Sequence, residues 1–345
     1  MTSNPHDHLA KAVFSRPEEA RSLFRAFLPE SQLQAIDLDS LEIVPGSFVD
    51  DQLRERHTDL LFSVKARGAK ALVYLLFEHK SGQDRWLVLQ LLIYITRIWA
   101  WYRKGHGDDC RLPMILPVVF YHGEDRWSQP LQLIDLCDAE GDTRELLGPC
   151  QPTLSLTLID LSQITEVHLR TILSHGTALT TLTALLMKSI RETGLLRRFR
   201  SWKPVVGQIH AEAGGRQMLE LLVQYLLLAA REEVDVDELQ NVLSDAIGPE
   251  SEELIMNTGE KLIQKGKERG LEEGRKEGMR EGMQEGRREG RREGMKEALA
   301  NVLRSRFGAI PGGIQSRMEA ANLETLQRYL DRAITAQSLH EVFDS

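Results

Sequence analysis

The sequence predicts an α/β fold: a mixed sheet flanked by helices, in the order helix, three strands, helix, strand, followed by a mostly α-helical C-terminal region. Three observations carry this. Two apolar runs, Asp59–Val64 and Ala71–Glu78, flank an Arg67-Gly68 turn. An amphipathic stretch over 86–104 separates them from another apolar run, Met114–Tyr121. Beyond residue 160 helical periodicity takes over, clearest over Met218–Ala230.

The first helix spans 8–28. Leu9, Val13, Ala20, Leu23, Phe24, Phe27 and Leu28 recur at helical intervals, Pro29 stops the run, and Pro17 is a candidate break. A short strand, Leu41–Val44, ends at Pro45-Gly46. The two hairpin strands come next, and the second is apolar on both faces, which places it centrally in its sheet. The helix over 86–104 ends near Gly105, and Pro113 precedes the last strand. We divide the chain into 1–160, a helical region 161–255, and a glycine- and charge-repeat segment with further helices, 256–345.

Composition narrows the classes. The 345 residues carry a net charge of −8, against a surface that grips nucleic acid everywhere but compatible with a local basic groove. Cys110, Cys137 and Cys150 form no CxxC pair, so neither a disulfide framework nor a zinc knuckle is expected. Met1–Ala10 is polar, and the longest apolar stretch, Trp86–Tyr102, contains Gln90 and Arg97. A soluble, cytoplasmic protein with no membrane partner is predicted.

Chemistry concentrates on the hairpin. If Ala66 pairs with Ala69, Asp59 sits opposite Leu76, and Asp59, Glu78 and Lys80 share one face. A one-residue slip would break the set. Mg²⁺ takes one or two carboxylates and leaves other positions for water and phosphate oxygen. Asp59 and Glu78 could supply the carboxylates, with Lys80 orienting water or neutralising charge on the phosphate. His79 falls on the opposite face. The plain alternative is that an Asp at a strand start and a Glu-x-Lys at a strand end are surface features. Gln90 and Tyr94, four apart on the next helix, lean toward a site, because a buried Gln needs hydrogen-bond partners.

Asp59, Glu78-x-Lys80 and Gln90-x-x-x-Tyr94 together resemble PD-(D/E)XK nucleases of the RecB-like branch. More narrowly, residues 5–130 resemble the Rpn family of recombination-promoting nucleases, also described as YhgA-like transposases. Pro5-His6-Asp7, Phe27-Leu28-Pro29, Ser47-Phe48-Val49-Asp50, Thr58-Asp59-Leu60-Leu61, Phe77-Glu78-His79-Lys80-Ser81 and Phe120-Tyr121-His122-Gly123 carry the likeness. The resemblance implies a Mg²⁺-dependent DNA endonuclease, with Mn²⁺ as a substitute, acting in recombination, mobile DNA or phage defence. By motif position Asp59 and Glu78 would be metal ligands and Lys80 the catalytic lysine, supported by Gln90 and Tyr94. Asp7 matches an early acidic position and is a further candidate ligand, although His6-Asp7 could equally cap the first helix. Asp50 and Asp51 are weaker candidates. The family also implies a short regulatory product from an internal start, with Met256, Met279, Met283 and Met295 as candidates. A rival reading is a non-catalytic interaction protein that oligomerises through its C-terminal helices. An RNA substrate stays open, because nothing in the sequence reports on the 2′-hydroxyl.

Glycines 266, 270, 274, 278, 282, 286, 290 and 294 recur every fourth residue. On a helix such a row drifts about 40° per step, and each Gly costs roughly 1 kcal/mol relative to Ala. The repeat therefore reads either as a mobile charged linker or as a helix whose glycine row packs closely on a partner copy. Arg191, Arg197, Arg198, Arg200 and Lys203 form a basic cluster that could touch phosphate or simply face solvent.

Overall fold

The computed structural model describes residues 4–44, 58–67, 69–78, 83–107, 109–138 and 140–343, with backbone alone at 58–59, 69–70, 75–78, 265 and 269. The Pro45-Gly46 turn, Asp50, Asp51, His79 and Lys80 lie outside the described residues. The predicted first helix is two: α1 (Pro5–Phe14) and α2 (Pro17–Phe27). Pro17 opens α2 at a position whose missing N–H removes no helical hydrogen bond.

Among the described residues five strands follow: β1 (Ile36–Ile43), β2 (Thr58–Ala66), β3 (Ala69–Glu78), β4 (Met114–Tyr121) and β5 (Thr157–Asp160). They form one mixed sheet in the order β1-β2-β3-β4-β5. β1, β2 and β3 are antiparallel; β3, β4 and β5 are parallel. The parallel β3–β4 step needs a crossover, and helix α3 (Leu87–His106) supplies it. β1 starts five residues before the predicted strand, and the four-residue β5 is an addition to the predicted elements.

The β2–β3 register runs from Thr58 opposite Phe77 to Ala66 opposite Ala69, and Asp59 lies opposite Leu76. That is the pairing a two-residue Arg67-Gly68 turn implies. Both sheet faces are covered. Leu60, Phe62, Val64, Val73, Val118 and Phe120 pack with α1, α2 and helix α4 (Ala178–Ser189). On the other face Leu61, Leu72, Tyr74, Val119 and Tyr121 pack with Leu87, Val88, Leu91 and Tyr94 of α3.

The helices Leu195–Ser201 and Lys203–Ala211, α5 (Gly215–Ala229) and the helix Val236–Ile247 extend the first of these cores through Phe199, Trp202, Val206, Leu222 and Leu239. Residues 161–255 thus share a hydrophobic interior with the sheet. The chain divides into two compact units, Met1–Lys261 and Leu262–Ser345. Helix α6 (Glu250–Phe307) runs for 58 residues and takes in the whole glycine repeat, so the repeat is helical. In the second unit Leu299 and Leu303 pack with Met318, Leu326, Val342 and Phe343. The three cysteines are free. Among the described residues no helix is long and apolar enough to cross a membrane.

Candidate active site

The candidate residues Asp59 and Glu78 fall where β2 begins and β3 ends, beside the ends of β4 and β5. Pleat alternation assigns positions 59, 76 and 78 to the face that also carries Leu61, Leu72 and Tyr74. Glu78 is paired in the parallel register with Tyr121. Backbone geometry therefore brings Asp59 and Glu78 to one face at one end of the hairpin. Lys80, two residues further on, is beyond the described strand.

Helix α3 covers that face. Tyr94 is buried, its ring 5.9 Å from that of Tyr74, so here it is a core aromatic. Gln90 is half-buried, and its amide Nε2 donates to the Asp84 carboxylate at 2.7 Å. Asp84 also accepts the Trp86 backbone N–H at 2.8 Å, which ties it to the start of α3. The hydrogen-bond partner expected for Gln90 thus exists, in an Asp that sequence reasoning passed over. Its spacing, Asp84-x-x-x-x-x-Gln90, is the one signal that could have found it.

The run Phe120-Tyr121-His122-Gly123 has a physical explanation residue by residue. Phe120 is fully buried, its ring 6.0 Å from that of Phe14 in α1. Tyr121 faces the other way, edge-on to Trp127 at 5.0 Å. Burial pushes the Tyr121 hydroxyl above its ordinary pKa, outweighing the hydrogen bond from Gln83. The neutral phenol donates to the Asp125 carbonyl at 3.0 Å. Gly123 is the residue type that fits: a Cβ there would stand 2.0 Å from the Tyr121 Oη. Gln83 clamps the same loop. Its Nε2 donates to the Arg126 carbonyl at 2.7 Å and its Oε1 accepts the Ser128 N–H at 2.7 Å. The segment leaving β3 is thereby fastened to the segment leaving β4.

His122 turns toward α1, its ring 4.8 Å from that of buried His6. His6 Nδ1 lies 2.7 Å from the Tyr225 hydroxyl of α5. Burial raises the pKa of that hydroxyl far enough to keep it protonated. The first turn of α1, with Asp7, therefore sits at the same end of the sheet as Glu78. Asn4 caps α1, its side chain accepting the His6 N–H at 3.1 Å, so Asp7 is not the capping residue.

The basic cluster separates into two kinds. Arg198 pairs with Glu192 at 2.7 Å and Glu166 at 3.2 Å, Arg200 with Glu238 at 3.4 Å, and Lys203 with Asp245 at 2.9 Å. Arg197 is exposed. Arg191 instead donates to the His122 carbonyl at 3.2 Å. Glu166 is the hub of the paired group. Burial opposes its ionisation most, yet hydrogen bonds from Trp202, Arg170 and Arg198 together hold its carboxyl below the usual glutamate range. A depressed folded-state pKa stabilises the fold above the unfolded value of about 4.3 and loses that contribution as pH falls through the folded value. Replacing Glu166 by Gln should therefore flatten the thermal midpoint between pH 5 and 3 relative to the unaltered chain. Parallel melting curves over that window would refute the role.

Among the described residues no three His, Cys, Asp or Glu side chains form a metal-holding group; Asp59 and Glu78 are described by backbone alone. A family model described as "Putative transposase, YhgA-like" matches residues 4–216. The recombination-promoting nuclease RpnD of Escherichia coli O157:H7 is 30% identical over 263 residues, 76% of this chain and 95% of the relative. The recombination-promoting nuclease RpnA of Escherichia coli K12 is 26% identical over 269 residues, 78% of this chain and 86% of the relative. The inactive recombination-promoting nuclease-like protein RpnE of the same strain is 28% identical over 166 residues, 48% of this chain and 55% of the relative. No solved structure matches the chain.

Proposed function

Because the chain belongs to the YhgA-like family and is similar over most of its length to named recombination-promoting nucleases, we propose that it is a metal-dependent DNA endonuclease on a PD-(D/E)XK core. The observation that carries this reading is the hairpin register, which sets Asp59 opposite Leu76 and so on the face of Glu78. Two carboxylates at a strand end suit Mg²⁺, which keeps its other positions for water and phosphate oxygens, and Mn²⁺ would substitute. Asp59 and Glu78 would hold the ion, with Asp7 as a further candidate from α1. When bound, the ion supplies Lewis-acid stabilisation of the charge that grows on the phosphate. Lys80 would share that load or orient the attacking water. Gln90 and Tyr94 act at one remove: Gln90 fixes Asp84 ahead of α3, and Tyr94 fixes the α3 side of the sheet through Tyr74. Strand breaks of this kind would initiate recombination, move mobile DNA or destroy phage DNA. The test is nicking of supercoiled plasmid in Mg²⁺ by the intact chain beside its Asp59→Ala variant.

A second reading, an interaction protein that works by self-association, is favoured by one observation. The eight repeat glycines lie on a helix, and a Cβ at any of them would meet nothing within 4 Å. At roughly 1 kcal/mol each relative to Ala, that row costs helix stability with no compensating contact among the described residues. Close packing against another copy would offset it. A short product begun at Met256, Met279, Met283 or Met295 would keep some or all of the second unit, and could enter the same assembly as a regulator. Sedimentation should show the full chain as a dimer or larger, a chain cut after Lys261 as a monomer, and added 256–345 peptide entering the full-length species. Identical species for the full and cut chains would leave the repeat as a spacer.

A further inference from the structure

Beside the ends of β4 and β5 lies a cleft of about 490 Å³. Lys188 in the last turn of α4 and Arg191 just beyond its end line it with His122, Ser162, Arg198 and Arg231. Two of its four cations are already matched: Arg198 by Glu192 and Glu166, and the exposed Arg231 loosely by Glu124 at 3.8 Å. Lys188 and Arg191 are not. Each is half-buried, and each is held by a backbone carbonyl: Lys188 Nζ donates to Leu161 at 3.2 Å and Arg191 Nη1 to His122 at 3.2 Å. Among the described residues neither has a carboxylate within salt-bridge distance. Glu124 and Glu192 also line the cleft but are taken up by Arg231 and Arg198, so the cleft keeps two cations in excess, which suits an anionic ligand.

Their anchors say where that ligand would run. His122 directly follows β4 and Leu161 directly follows β5, so both cations are pinned at the carboxyl ends of parallel strands, the usual binding end of such sheets. Glu78 ends the neighbouring strand and pairs with Tyr121. We propose that Lys188 and Arg191 form a subsite for a backbone phosphate of the DNA, at the same end of the sheet as Glu78 but on the α4 side of it, so that the bound strand would pass over the strand ends from one face to the other. This rests on the nuclease reading above. It explains how a chain of net charge −8 grips a polyanion: with a few well-placed cations rather than a basic surface.

The test is binding of a fluorescent 30-base-pair duplex to the full chain in EDTA, titrated over salt, with plasmid nicking in Mg²⁺ measured beside it. Each phosphate contact contributes a slope of roughly 0.9 in log K against log salt. Lys188→Gln with Arg191→Gln should therefore lower the slope by about 1 and weaken binding about 10- to 100-fold. Lys188→Arg with Arg191→Lys should largely restore both. Since the native side chains also hold backbone carbonyls, Ser162→Glu provides a variant that leaves them in place. It adds a negative charge to the cleft and should weaken binding to a similar extent. Unchanged affinity in both the neutralised and the Ser162→Glu proteins, with nicking intact, would remove the subsite and leave the nuclease. Cleft-dependent binding without any nicking would keep the subsite and remove the nuclease. No binding by the unaltered chain would overturn the subsite.

Discussion

Asp59→Ala protein is expected to nick supercoiled plasmid at least about 10²–10³-fold more slowly than the unaltered chain in Mg²⁺. That magnitude is the loss seen when one group stabilising transition-state charge is deleted, about 3–4 kcal/mol. Asp59, the second residue of β2, lies opposite Leu76, two residues along β3 from Glu78, so the two carboxylates are candidates to hold one ion together. Deleting either should be nearly as damaging as deleting both, because residues that act as a unit are not additive. Glu78→Gln, and the double variant, should therefore fall to the same floor as Asp59→Ala. Duplex binding in EDTA should change little, because the deleted group is an anion. Equal nicking by Asp59→Ala and unaltered protein would trace the activity to a contaminant and end the enzyme reading.

Gly123→Ala should destabilise the first unit by about 2–5 kcal/mol and abolish nicking with it. A methyl group at 123 would stand 2.0 Å from the Tyr121 Oη and 2.3 Å from its Cζ. The ring has little room to yield. It is 3% exposed, edge-on to Trp127, and its hydroxyl is bonded to the Asp125 carbonyl and to Gln83. Moving it combines the overpacking cost of 1–3 kcal/mol with lost hydrogen bonds of about 1 kcal/mol each. The mechanism has its own check. Tyr121→Ala removes the obstructing atoms, so Gly123→Ala should add little in that background. Denaturant unfolding of the four proteins of this cycle measures the coupling. Additive costs would show that Gly123 is required for some reason other than Tyr121.

How much of this the sequence disclosed follows from how local each signal is. The hairpin is legible because a two-residue turn and period-two alternation fix its register with no outside help, and Asp59 opposite Leu76 is the result. Met114–Tyr121 is legible for a related reason: a strand buried on both faces is apolar throughout. β5 leaves no such trace, since Thr157–Asp160 is four residues at a sheet edge. Pro17 was readable as a break, and the two helices meet there. The cleft was not readable. Lys188 sits between buried Met187 and Ser189, and its significance depends on Leu161 and His122, distant in the chain. The basic cluster at 191–203 pointed to the right neighbourhood, but the salt bridges of Arg198, Arg200 and Lys203 occupy most of it. The family resemblance rested on short runs such as Phe120-Tyr121-His122-Gly123, and packing now explains why those four residue types occur together.

The sheet places its strands side by side in the order in which they are synthesised. No strand has to be threaded between two others, so each one leaving the ribosome can add to an edge that already exists. The β2–β3 hairpin can form first, α3 then carries β4 onto its open edge, and β5 closes that side. At each stage the growing sheet offers one fresh edge for mispairing, and assembly can proceed vectorially from the amino terminus.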